Sequence, residues 1–229
     1  MKYVYVLTST PKDLYYEQCL MSVWSLRQKM PNADVVVLVD NKTKASFTAE
    51  NKREELGKFA SEIVSIDFAD NVSNVERSRL IKTSIPEYVT GSFLYIDCDT
   101  IICDDLSSIE NEPFEVAGVL DGHCMLGEHI HQKYFLQRDK KLGFHGTKAA
   151  DCNINGGLIL AKEGETSLSL FKAWNEVWKY SAYQKHDFHD QSALNEANYR
   201  IGLKMGHLNG IWNCQPSHGG LAFLKEAKI

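Results

Sequence analysis

No stretch of this 229-residue chain approaches the eighteen or so consecutive apolar residues that a helical membrane span requires. Its six cysteines (19, 98, 103, 124, 152 and 214) contain no C-x-x-C pair, so neither a zinc ribbon nor a thioredoxin-type redox motif is present. Proline is scarce, with 5 residues, and no Pro/Gly-rich linker, low-complexity tract or internal repeat breaks the chain. A single domain over 1–229 is therefore expected. Nor is there an excess of positive charge. With 25 basic against 30 acidic residues the net charge is −5, which argues against a broad grip on nucleic acid. The chain opens on Met-Lys-Tyr-Val-Tyr-Val without a secretory leader. The expectation is a cytoplasmic protein with reduced thiols, with contact at the inner membrane face left open.

What is present is ordinary globular material, 44% hydrophobic and 24% charged. A chain of this length buries enough surface, about 70–75% of what it exposes unfolded, to fold without staples. Apolar runs that read as buried strands occur at Tyr3–Leu7, Asp34–Val39, Ile63–Ile66, Ser92–Ile96, Glu115–Leu120 and Leu158–Ala161. Between them lie helical patterns. One starts at Asp13 and carries Leu20, Met21, Val23, Trp24 and Leu26 toward Met30, a second spans Thr43 to Ala60, and a third runs from Glu76 to Ser84 before Pro86. The alternation predicts an α/β fold around a mostly parallel sheet, whose ligands sit outside the carboxyl ends of the strands. Gly122–Ala150 shows no clear period and reads as a loop-rich insertion, a candidate lid or acceptor-side segment.

The strongest local signal is Phe93-Leu94-Tyr95-Ile96-Asp97-Cys98-Asp99-Thr100. If the chain stays extended there, the two carboxylates point to one side, roughly 6.6 Å apart. Carboxylates so close repel one another unless a cation sits with them, and hard oxygen ligands select Mg²⁺ or Mn²⁺. The plain alternative is a strand end followed by a polar turn. Other strand ends are polar too: Thr8-Ser9-Thr10, Asp40-Asn41 and Asp121. Asn153-Ile154-Asn155-Gly156-Gly157 opens another strand, and Asp190-Gln191 starts a helix.

Taken in order, these pieces resemble the retaining glycosyltransferases of family 8, the glycogenin and lipopolysaccharide galactosyltransferase type with a GT-A fold. The resemblance covers nearly the whole chain. It is carried by an opening of the V-x-L-T kind ending in Leu7-Thr8, Tyr15, Arg79-Leu80, Tyr95-Ile96-Asp97-Cys98-Asp99-Thr100, Val119-Leu120-Asp121, Asn155-Gly156-Gly157, Asp190-Gln191 with Leu194-Asn195, and Trp212-Asn213. It implies a hexosyltransferase with a UDP-sugar donor, a saccharide acceptor and a Mn²⁺ or Mg²⁺ cofactor. By the same resemblance Asp97 and Asp99 hold the metal. Thr8, Tyr15, Asp40, Arg79 and Asp97 contact the nucleotide, and Asp121, Asn155, Asp190 and Gln191 contact the sugar. Gln191 and Asp190 then lie at the reacting centre.

The family pattern also implies a third metal ligand, the histidine of H-x-x-G-x-x-K-P-W. His207-Leu208-Asn209-Gly210 fits its first four positions, but Asn213 stands where Lys belongs, so this segment better matches an earlier stretch of the family. On that alignment the chain ends, at Ala227-Lys228-Ile229, before the histidine: either the sequence is a piece of a longer one or the element is absent. His218 is the other candidate, and no histidine is assigned as ligand.

Two other functions compete. A phosphohydrolase of the haloacid dehalogenase type also places D-x-D after a strand, but near the N-terminus and with a glycine before the threonine. A non-catalytic sugar-nucleotide-binding homologue shares the carboxylates without the chemistry. Elsewhere structural roles are expected: Trp24, Trp174 and Trp178 in the core, Cys98 facing the sheet, His129-x-His131 as a loop pair, His186 and His189 beside the acceptor, and 51–58 as a solvated helix face.

Overall fold

The computed structural model describes residues 1–229, and its packing divides them into two compact units, Met1–Asn111 with Lys228–Ile229 and Glu112–Ala227. Each unit is built of β-strands flanked by helices, and most of the strand pairings are parallel.

In the first unit the strands are β1 (Lys2–Leu7), β2 (Asp34–Asp40), β3 (Glu62–Ile66) and β4 (Phe93–Ile96), in the order β3-β2-β1-β4. All three pairings are parallel, with Val4 opposite both Val36 and Tyr95. Parallel neighbours need crossovers, and the helices between the strands provide them. Because the strands point one way, Thr8 after β1 and Asp97 after β4 emerge at the same edge of the sheet.

The helix α1 (Tyr15–Lys29) buries Tyr16, Cys19, Ser22, Val23, Ser25 and Leu26. Its inner face is partly hydroxylic: Ser22 Oγ lies 3.3 Å from the Tyr5 hydroxyl and 2.7 Å from Thr100 Oγ1, and Ser25 Oγ accepts the Ile102 amide at 2.8 Å. Small hydroxyls let the helix approach the sheet, and this displaces the larger apolar residues. Trp24, expected in the core, is 42% exposed, and Met21 lies on the same outer face.

The expected helix from Thr43 to Ala60 is instead two short ones, α2 (Asn41–Ala45) and α3 (Leu56–Phe59). Ser46 Oγ donates to the Thr43 carbonyl, Asn51 Nδ2 donates to the Ser46 carbonyl, and Lys52 takes φ 55°. Such local side-chain bonds and a left-handed residue compete directly with helix continuation. The next helix, α4 (Asn74–Thr83), begins at a capping box in which Ser73 and Glu76 satisfy each other's backbone amides. Pro86 does not end the helical stretch but sits in the first turn of α5 (Ile85–Tyr88), where its missing N–H costs nothing.

In the second unit the order is β6-β5-β7, from β5 (Val116–Leu120), β6 (Ile154–Ala161) and β7 (Gly206–Leu208). Here β5 runs antiparallel to β6 and parallel to β7. The segment read as loop-rich holds two helices, α6 (Gln132–Leu142) and α7 (Gly146–Ala150). Glu196 Oε2 accepts the His145 and Gly146 amides at 2.7 and 3.1 Å, so the charge of one helix caps the start of another.

Trp174 and Trp178, at helical spacing in α8 (Glu165–Lys185), are fully buried as expected. Their indole N–H groups donate to the carbonyls of Asp190 (2.9 Å) and Phe188 (3.2 Å), fixing the loop that leads into α9 (Gln191–Arg200). Where α7 meets α9, a Cβ on Gly146 would overlap the Asn195 carbonyl. Gly146→Ala is therefore expected to destabilise the fold by about 2–3 kcal/mol, since backbone rather than a flexible side chain must yield. Thermal unfolding should show a midpoint lowered by about 4–12 °C, and an unchanged midpoint would contradict this packing.

Candidate functional site

At the carboxyl edge of the first unit a cavity of about 250 Å³ opens beside β1 and β4. Its walls include Thr8, Tyr15, Gln18, Asn74, Val75, Ser78, Arg79, Tyr95, Asp97, Cys98 and Asp99. The structure thus gathers five residues singled out in the sequence: Thr8, Tyr15, Arg79, Asp97 and Asp99.

Three local features make the cavity. Asp13 takes hydrogen bonds from Ser9 Oγ, the Thr10 amide and hydroxyl, and the Tyr15 amide, folding the 8–14 turn so that Tyr15 begins α1. Burial is the largest single effect and raises its pKa, but the four bonds together outweigh it and hold the carboxyl below the ordinary value. Thr8 Oγ1 donates to the Asn74 carbonyl at 3.3 Å, tying the end of β1 to the start of α4. Finally, β4 stops at Ile96 and the chain turns at Cys98-Asp99, with Thr100 Oγ1 donating to the Asp97 carbonyl at 2.9 Å. The extended D-x-D geometry expected from the sequence is absent, although both carboxylates border one cavity.

Asp97 is half-buried and Asp99 exposed. Asp97 Oδ1 accepts from the Tyr95 hydroxyl and lies 3.3 Å from Lys82 Nζ, which also sits 5.0 Å over the Tyr95 ring. Lys82 was not singled out in the sequence. Its signal was available, for it follows Arg79 by three residues on one helix face. A hydrogen bond to Cys19, then burial and the two flanking aspartates, holds the Cys98 thiol well above its usual value. A neutral thiol is neither nucleophile nor zinc ligand.

Asp40 is the exception among the nucleotide-site candidates. It is fully buried and does not border the cavity. Its Oδ1 accepts the Lys42 and Thr43 amides at 2.8 and 2.9 Å, its Oδ2 accepts the Thr43 hydroxyl, and Arg77 Nε lies 3.4 Å away. Those bonds occupy the carboxylate as the cap of α2, so a direct contact from it to a nucleotide is not what this geometry offers.

A second cluster lies within the Glu112–Ala227 unit. Asp121 Oδ2 accepts the side-chain amides of Asn153 (3.1 Å) and Gln191 (3.0 Å), and Oδ1 accepts that of Asn155 at 3.4 Å. Gln191 Oε1 accepts the Gly156 amide at 3.3 Å, and Asn155 Oδ1 takes the Gly157 amide and the Asn213 side chain at 2.8 and 3.2 Å. Asn195 ties the cluster together: its Oδ1 accepts the Ile154 amide at 2.9 Å, and its Nδ2 donates to Asn153 Oδ1 and the Gln191 carbonyl, both at 2.9 Å. Asp121, Asn155 and Gln191 are thus one connected network. Asp190, also expected here, is buried at the start of α9. Asn153 and Asn195 have no role that the sequence alone assigns; the fold brings them to Asp121 and Gln191.

No group of three or more His, Cys, Asp or Glu side chains is assembled to hold an ion. Asp97 and Asp99 instead fit the two-carboxylate arrangement that Mg²⁺ or Mn²⁺ completes with water and substrate phosphates. No helix is long and apolar enough to cross a membrane.

No protein-family model matches the chain, and no curated protein matches it in sequence. Solved structures match in fold. The galactosyltransferase LgtC, in complex with donor and acceptor sugar analogues, superposes with TM-score 0.61 at 18% identity over 95% of this chain and 76% of its own. Mouse xyloside xylosyltransferase 1 does so with TM-score 0.59 at 10% identity, over 93% and 86%. The glycosyltransferase GlyE of Streptococcus pneumoniae TIGR4 gives 0.52 at 16%, over 92% of this chain and 46% of its own. The fold is therefore that of the GT-A glycosyltransferases.

Proposed function

We propose that this chain is a metal-dependent retaining glycosyltransferase of the family 8 type, moving a hexose from a UDP-sugar to a saccharide acceptor. The observation that carries this reading is the joint lining of one cavity by Thr8, Tyr15, Arg79, Asp97 and Asp99. It is supported by the shared fold, and by a neighbour described as an active-site glutamine-to-glutamate variant of LgtC, which makes a glutamine part of that enzyme's active site.

In this reading Tyr15, 57% exposed at the cavity wall, offers a face for the base, and Thr8 a hydroxyl for the nucleoside. Arg79 supplies a fork of donors to the diphosphate. Asp97 and Asp99 would hold Mn²⁺ or Mg²⁺, which when bound neutralises charge on the departing diphosphate. Lys82 fixes Asp97 through Oδ1 and leaves Oδ2 for other contacts. Asp121, Asn155, Asp190 and Gln191 would bind and orient the sugar. Departure of the diphosphate leaves oxocarbenium character on the sugar, and the Gln191 amide is too weak a nucleophile to trap it covalently. Same-face attack by an acceptor hydroxyl follows. Proton NMR of UDP-hexoses incubated with the protein, Mn²⁺ and saccharide acceptors tests this. A product with the donor's anomeric configuration is expected, whereas an inverted product or a glycosyl adduct on Gln191 or Asp190 would refute the mechanism.

A further inference from the structure

His129 has no part in the chemistry above, yet its side chain is 2% exposed and its ring is held at Nδ1 and on one face. Nδ1 accepts the His131 backbone amide at 3.0 Å, and Phe135 packs on the ring at 4.8 Å between centroids. An Nδ1 that accepts leaves the proton of a neutral imidazole on Nε2. That Nε2 is buried without a hydrogen-bond partner and lies 3.8 Å from Asp121 Oδ2. Room for it exists because residue 122 is glycine, where a Cβ would come within 2.6 Å of Nε2.

We infer that His129 is a positioning residue for Asp121, its Nε2–H directed at Oδ2 so that Oδ1 is the oxygen left to receive a sugar hydroxyl. Oδ2 already accepts Asn153 and Gln191, whereas Oδ1 has one long contact from Asn155. A third N–H toward Oδ2 completes this asymmetry, and the 3.8 Å separation is one that substrate binding can close. The groups facing the ring are Asp121, His131 and His218, with Glu128 and Cys124 along the adjoining cavity of about 170 Å³. Burial, reinforced by His131 and His218, lowers the His129 pKa below its ordinary value against the opposing effect of Asp121. Protonation would put a proton on Nδ1 against the donating His131 amide, breaking the contact that aims the ring. The active form is therefore neutral, and the function is lost as pH falls through a value below 6.5.

The consequence for catalysis rests on the glycosyl-transfer reading, but the contact can be read without it. Imidazole ¹⁵N NMR of the full chain should show His129 neutral and protonated on Nε2 at pH 7. A ring protonated on Nδ1, or titrating at or above 6.5, would overturn the proposal. In kinetics, His129→Leu should lower kcat/KM for a UDP-sugar at least tenfold with UDP affinity unchanged. His129→Gln, which keeps a donor near the Nε2 position, should stay within about threefold and lose the acid limb of the pH profile. Equal turnover by wild type and His129→Leu overturns the proposal. A wild type that binds no UDP sinks the transfer reading instead, and the NMR result then decides the contact by itself.

Discussion

Replacing Asp97 and Asp99 together by alanine will weaken Mn²⁺-dependent UDP binding at least about 100-fold, equivalent to about 2.7 kcal/mol. The two carboxylates are the hard oxygen donors at this cavity wall, and without them the ion has only the nucleotide and water. The single variants should separate two effects. Asp99 is exposed and its side chain makes no hydrogen bond or ion pair, so Asp99→Ala should leave thermal stability within about 0.5 kcal/mol while weakening binding. Asp97→Ala also removes one partner of the buried Lys82, leaving its positive charge beside the cavity less compensated. Its loss of affinity should therefore be accompanied by weaker dependence on the metal. Calorimetry of UDP with and without Mn²⁺ distinguishes these outcomes. Unchanged metal-dependent affinity in the double variant would remove the ion from this position.

Asn195→Ala is expected to cost about 3 kcal/mol of stability, because it strips partners from several buried groups at once. The Ile154 amide loses its acceptor, and Asn153 Oδ1 and the Gln191 carbonyl lose a donor. Each buried polar group left unsatisfied costs about 1–3 kcal/mol, with partial relief where water enters. For a chain of this size the unfolding midpoint should fall by about 6–12 °C. The same change loosens Asn153, the main-chain position of Ile154 beside Asn155, and the start of α9 that carries Gln191. Activity should drop further than the folded fraction alone explains. Asn195→Asp keeps the acceptor for Ile154 but turns a buried carboxylate oxygen toward the Asn153, Ile154 and Gln191 oxygens, so it should destabilise at least as much as alanine at neutral pH. A midpoint within 1 °C of wild type for Asn195→Ala would show that the network does not bear on stability.

The parallel strands of the first unit were legible in the sequence because strands covered on both faces read as unbroken apolar runs: Asp34–Val39 and Ser92–Ile96 agree with the structure to within a residue. What failed was decided by contacts beyond a local window. Trp24 follows helical spacing as well as Leu26 does, but the inner face of α1 was taken by Ser22 and Ser25. The helix expected from Thr43 was broken by Ser46, Asn51 and Lys52, whose effect lies in side-chain bonds rather than periodicity. At three residues, β7 is too short to leave a pattern.

The cavity residues were legible through motifs at strand ends, where polar side chains must follow a buried run. Asp40 met the same description and serves instead as a helix cap, a distinction that depends on where the next amides point. Lys82, Asn153 and His129 act through carboxylates 15, 32 and 8 residues away in the chain. Their types are common, and only the fold brings them to Asp97 and Asp121.

The central claim is a nucleoside diphosphate site built on two carboxylates and an ion. Calorimetric titration of UDP into the 229-residue chain with Mn²⁺, repeated with excess EDTA, tests it most directly. Saturable binding that EDTA abolishes and that Asp97→Ala/Asp99→Ala does not show is the predicted result. No heat of UDP binding in either condition, from protein shown to be folded, would contradict it.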